Sequence, residues 1–63
     1  MKQYKIVMIS SDGNRIMATF DKLETAKNVF ETVFRNSASE TRTYSLIECN
    51  KDKETVISST KKE

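Results

Sequence analysis

The chain contains no histidine, no proline and no tryptophan, and it has one glycine and one cysteine. Without histidine, the commonest general base and the commonest metal ligand are missing. A single glycine cannot build a glycine-rich phosphate loop, and Cys49 has no second cysteine with which to close an intramolecular disulfide. The sequence therefore predicts a protein that is not an enzyme and that holds no metal and no cofactor.

Charge and hydropathy argue against two further classes of partner. The 11 basic and nine acidic residues are interleaved, for a net charge of +2, whereas nucleic-acid-binding domains usually carry a basic stripe or a larger excess. No apolar run is long enough to span a bilayer, and no signal-peptide pattern is present. We expect a cytoplasmic protein without a membrane or small-molecule ligand. Nucleic acid is the second-ranked partner, through Lys5, Arg15 and Arg42 beside the sheet.

Residues 21–35 have the periodicity of an amphipathic helix. Asp21 followed by Glu24 matches a capping box, and Arg35 supplies a cation for the last turn. The apolar side chains share an arc of about 140° on the helical wheel, and polar side chains fill the opposite side. We therefore expect one face of the helix to be buried, through Leu23, Ala26, Val29, Phe30, Val33 and Phe34.

Residues 2–10 and 15–20 alternate as strands do, and they flank a strong turn signal that contains Gly13. A two-residue loop would place Lys5 beside Phe20 and mix the apolar and polar patterns. A three-residue loop with a left-handed Gly13 keeps the patterns separate. The register that we predict pairs Ser10 with Asn14, Tyr4 with Phe20, Ile6 with Ala18, and Met8 with Ile16.

Residues 41–49 and 54–60 are rich in β-formers and flank a polar turn at residues 50–53, so they predict a second hairpin. The doublets Leu46-Ile47 and Val56-Ile57 leave its facing open in either sense. In the orientation proposed, Tyr44, Leu46 and Val56 face the helix, and Ile47, Cys49 and Ile57 lie on the other side.

A helix crossing one face of a four-stranded sheet is the economical arrangement, an α+β fold of the ββαββ type. Residues 1–60 form this single domain, and residues 61–63 form a frayed tail. A helical connection suits a parallel crossover, which needs a dozen or more residues. We therefore predict the β-grasp-like strand order 2-1-4-3, with the first and last strands parallel in the centre.

Residues 25–30 are similar to the helix of protein G, and the order of hairpin, helix and hairpin resembles the immunoglobulin-binding domains of protein G and protein L. Arg42-Thr43-Tyr44 falls where protein G has Trp-Thr-Tyr. Because that tryptophan contributes to Fc binding, the resemblance implies the fold rather than antibody binding. Residues 4–7, 12–13, 18–21 and 23–26 also resemble small uncharacterised proteins of bacteria and their phages, which implies a phage or mobile-element origin and no activity.

The sheet face turned away from the helix is expected to be unusually apolar. Monomers rarely leave such a patch exposed, although another register would distribute these residues into the core. We expect a non-catalytic protein-interaction module that docks another protein or a second copy of itself through this face or through the edge strand at residues 15–20. The candidate interaction surface consists of Val7, Ile9, Met17, Ile47, Cys49 and Ile57.

Overall fold

A computed structural model describes residues 2–60 as four strands and one helix of 15 residues. The α+β class is confirmed, and the predicted tail at 61–63 lies outside the described residues. The helix, α1, has a π-helical centre between two α-helical segments. In chain order the elements are β1 (Lys2–Ser10), β2 (Gly13–Phe20), α1 (Leu23–Val29, Phe30–Phe34 and Arg35–Ser37), β3 (Arg42–Asn50) and β4 (Lys53–Ser59).

The strand order is β2-β1-β3-β4, and every neighbouring pair is antiparallel. The predicted order 2-1-4-3 with a parallel central pair, and with it the β-grasp-like arrangement, is wrong. The helix still makes a long crossover, because β2 and β3 run in the same direction on either side of β1. β3 rather than β4 lies beside β1 because it supplies Tyr44 and Leu46 to the core, whereas the helix-facing residues of β4 are Lys53, Thr55 and Ser58.

The first hairpin differs from its predicted register by one residue. Its turn has two residues, so Ser10 pairs with Gly13, which keeps a positive φ of 124°. A β-bulge at Met17 absorbs the difference. Two of the predicted pairs, Ser10 with Asn14 and Met8 with Ile16, are therefore wrong. The pairs observed along the hairpin include Tyr4 with Phe20, Ile6 with Ala18, Val7 with Ile16, and Met8 with Arg15.

The second hairpin has the same turn length and the same position of the bulge as the first. Its turn also has two residues, and β4 has a bulge at Ile57, which stands 40 positions after Met17. The central pair of the sheet, Ile6 with Leu46, shows the same offset of 40 positions. The two hairpins are thus related by an approximate two-fold axis through that pair. Val56 pairs with Ile47 and not with a helix-facing residue, so its predicted facing is wrong.

The core lies between α1 and one face of the sheet. Phe30 of α1 is fully buried and belongs to one cluster with residues of the two central strands. The ring centroids of Phe34 and Tyr44 are 5.1 Å apart. Met8, Phe20, Val29 and Ala38 close the periphery together with Phe34. The buried cluster consists of Tyr4, Ile6, Ala26, Phe30, Tyr44 and Leu46.

The helix departs from its predicted form at its N-terminal end and in the middle. Lys22 rather than Asp21 is the N-cap, and no side chain caps the first turn, so the predicted capping box is wrong. The π-helical segment contains more residues per turn than an α-helix, which rotates the residues after Phe30 relative to the core. Val33, expected in the core, is consequently 52% exposed, and Leu23 is exposed in the first turn.

Candidate interaction surface

The sheet face opposite α1 is covered by no helix or strand of the described residues. Side chains alternate along a strand, so Lys5, Val7 and Ile9 point away from α1 when Ile6 points toward it. Strand pairing extends this face across the sheet. We call it the open face, and its apolar members are Val7, Ile9, Ile16, Met17, Ile47, Cys49, Val56 and Ile57.

The six residues predicted from the sequence all lie on the open face. Val7 is buried, at 8% exposed, because its strand is central and the side chains around it shield it. Ile47 and Cys49 are half-buried on the other central strand. Three of the six are exposed nearer the rim, namely Ile9, Met17 and Ile57.

The sequence reasoning missed two further members, Ile16 and Val56, which are 56% and 60% exposed. Each precedes the bulge residue of its edge strand, so the doublets Ile16-Met17 and Val56-Ile57 place both side chains on one face. Strict alternation cannot do this, whereas a bulge can. The signal available in the sequence was the pair of adjacent apolar residues at equivalent places in β2 and β4.

The charged residues of the open face, within residues 2–60, are Lys5 and Glu54. Lys5 Nζ reaches across β3 to Glu54 Oε2 at 2.7 Å. This hydrogen bond raises the pKa of Lys5 and lowers the pKa of Glu54. The Cys49 thiol also donates to Glu54 Oε2, with an Sγ to Oε2 distance of 3.8 Å. The two charges neutralise each other, so the open face carries no net charge.

The three basic residues considered for nucleic acid do not come together. Lys5 is on the open face and is engaged by Glu54. Arg15 pairs with Met8 and Arg42 pairs with Ser10, so both arginines lie on the helix side of the sheet. The structure therefore provides no common basic surface from this trio.

A concave region, distinct from the centre of the open face, lies at the end of the sheet where β1 ends and β3 begins. Its lining is rich in hydroxyl groups, and two of them are engaged locally. Thr60 Oγ1 accepts from the Tyr44 backbone N–H at 2.9 Å, and Ser10 Oγ donates to the Gly13 carbonyl at 3.3 Å. Within residues 2–60 no buried side-chain polar atom lacks a hydrogen-bond partner. The region therefore presents no buried, unpaired polar group to a ligand.

Two further kinds of site are not found among the described residues. No three Cys, Asp or Glu side chains within 2–60 are grouped so that they could hold a metal ion. In the same part of the chain, no helix has the length and apolar character needed to cross a membrane. The chain was compared with protein-family models, with curated proteins and with solved structures, and none of these comparisons gives a match.

Proposed function

We propose that the chain is a non-catalytic protein-interaction module that binds its partner through the open face. The observation that carries this proposal is the distribution of exposed apolar side chains. Seven large hydrophobic residues of the described chain are exposed, and five of them, at positions 9, 16, 17, 56 and 57, lie on the open face. A contiguous apolar surface of this kind marks interaction sites in soluble proteins.

The hydrophobic effect gives this face a reason to be covered. Each apolar Å² removed from water contributes about 25 cal/mol, and the exposed residues here are valine, isoleucine and methionine. The two remaining exposed hydrophobic residues, Leu23 and Val33, lie apart on the helix. Isolated side chains like these are ordinary on a protein surface, so they define no second binding surface.

The face is a better docking site than the edges of the sheet. An extended peptide adds to a sheet through a regular row of backbone donors and acceptors. Both edge strands are interrupted by a bulge, at Met17 in β2 and at Ile57 in β4. Bulges bend and twist an edge, which protects it from pairing with another chain. Association is therefore directed to the side chains of the open face.

Site-specific photo-cross-linking tests the proposal. A photoreactive amino acid replaces Val56 on the open face or, in a matched control, Val33 on the outside of α1. The two valines are similarly exposed, at 60% and 52%. In the cells that produce the chain, irradiation is expected to yield a protein adduct from position 56 and none from position 33. An absence of adducts from position 56, or equal adducts from both positions, contradicts the proposal.

A further inference from the structure

The charge pattern of the open face indicates which partner it fits. Within residues 2–60, Lys5 and Glu54 are its charged residues, and they are paired at 2.7 Å. A surface shaped for a basic or acidic partner presents unpaired charges of the opposite sign. A surface that meets its own copy about a two-fold axis must instead avoid an excess of either sign, because the same patch lies on both sides. The open face has no excess of either sign, so its charges suit contact with a second copy.

We propose that the partner of the open face is a second copy of this chain, with the two sheets packed face to face about a two-fold axis. This inference rests on the proposed function and specifies its partner. The two sheets would lie about 10 Å apart, as they do in β-sandwiches. The two helices would remain on the outside, and the apolar side chains of both open faces would form a second core.

The size of the face is compatible with such a dimer. Strands of seven to nine residues, four abreast, cover roughly 20 by 25 Å at the usual strand spacing and rise. Two such faces bury roughly 1,000 Å² in projection, and the relief of the side chains adds to this area. Specific interfaces begin at about 1,200 Å² in total. The dimer falls at the lower end of that class, so its association depends on protein concentration.

The internal symmetry of the sheet makes the face complementary to itself. The approximate two-fold axis through the Ile6–Leu46 pair places the doublet Ile16-Met17 at one edge and Val56-Ile57 at the other. Either edge of one copy therefore meets an apolar edge of the other. Lys5 lies beside Ile47 in a central row of the face, and Glu54 pairs with Cys49 one row nearer its end. In the dimer the two charges are therefore covered together, as a hydrogen-bonded pair.

Sedimentation equilibrium of the purified 63-residue chain tests the inference. The mass is expected to rise with concentration from 7.3 kDa to twice that value and no further. Val56→Lys introduces a charge into both halves of the interface. With each copy weakening association about tenfold, the dissociation constant is expected to rise about 100-fold. Between about 50 and 500 mM salt it is expected to change less than about threefold, because the face carries no net charge.

Thr55→Lys is the matched control. It adds the same charge to the same strand one residue earlier, but on the helix side of the sheet, where Thr55 pairs with Glu48. It is expected to change the dissociation constant less than about threefold. Circular dichroism at low protein concentration checks that each variant is folded. If Val56→Lys does not fold, Ile16→Lys takes its place at the equivalent position of the other edge.

Four outcomes decide between the inference and the proposed function. A monomer at every concentration, with position 56 cross-linking to a different protein, overturns the second copy as partner and leaves the proposed function standing. A monomer with no adduct from position 56 overturns both. A dimer that Thr55→Lys weakens as much as Val56→Lys overturns the face-to-face contact, while a dimer weakened selectively by Val56→Lys supports it.

Discussion

The two faces of this sheet are made by the same strands but have opposite surroundings. Leu46 and Ile47 are neighbours in β3, yet Leu46 is fully buried under α1 and Ile47 lies half-buried on the open face. Both faces carry large apolar side chains on the two central strands, which on the open face are Val7 and Ile47. The difference shows that apolar content alone does not identify the core of a small sheet. The position of the helix decides which face is covered, and no helix or strand of the described residues covers the other face.

Disrupting the packing between α1 and the sheet is expected to have the largest effect on stability. Phe30→Ala removes the largest fully buried side chain and is expected to lower the free energy of unfolding by about 3–5 kcal/mol. A domain of this size has little more than that to lose. The measurement is chemical denaturation followed by circular dichroism. Val33→Ala, on the exposed side of the same helix, is expected to cost less than about 0.5 kcal/mol, and equal losses would contradict the described packing.

A pair of substitutions in β3 compares the two faces directly. Leu46→Ala is expected to cost about 2–5 kcal/mol, because it leaves a cavity beneath α1. Ile47→Ala is expected to cost less than about 1.5 kcal/mol in the monomer, because its side chain is already partly in water. Both are measured by urea denaturation at a protein concentration low enough to keep the chain monomeric. A larger loss from Ile47→Ala would show that the open face is covered within a single copy.

The smallest effect is expected at the ion pair of the open face. The pKa of Glu54 is lowered from 4.5 by the hydrogen bond from Lys5, so its contribution to stability is present above the unfolded pKa and is lost as the pH falls through the lowered value. The pKa of Lys5 is raised from 10.5, so its contribution is lost as the pH rises through the raised value. Glu54→Gln should therefore melt at a lower temperature than the unmodified chain at pH 7.

The pH dependence of this difference is the measurement. The gap in melting temperature between the unmodified chain and Glu54→Gln should close in acid below the pKa of Glu54 and in base above the pKa of Lys5. The pair is partly exposed, so the gap at neutral pH is expected to be small. A gap that stays constant across this range would show that the carboxylate charge has no role.

The sequence was sufficient to predict the elements of this fold because their periodicities are strong. The helix, the two hairpins and the helix-facing residues Tyr4, Ile6, Tyr44 and Leu46 lie where alternation and helical spacing predict them. The strand order was not predictable in the same way. Two antiparallel hairpins joined by a helix can pair through β4 or through β3, and the choice depends on how many side chains each strand offers to the helix.

The bulges limited the prediction of the open face. A bulge reverses the facing of the residues on one side of it and leaves the other side unchanged, so Tyr4 and Phe20 pair as predicted while Ile16 moves to the opposite face. Alternation assigns one facing to a whole strand and cannot locate such an insertion. Val56 changed sides for the same reason. The π-helical segment has a similar effect in α1, where it turns Val33 into solvent.

The paired bulges have a consequence for how far assembly can proceed. A sheet with two free edges can in principle grow without limit, adding one chain after another into an amyloid-like fibre. In this chain the irregularities at Met17 and Ile57 affect both edges at the same level of the sheet. The exposed apolar side chains of the open face can be covered by one further sheet. Together with the proposed face-to-face contact, the bulges favour a closed dimer over open-ended growth of a fibre.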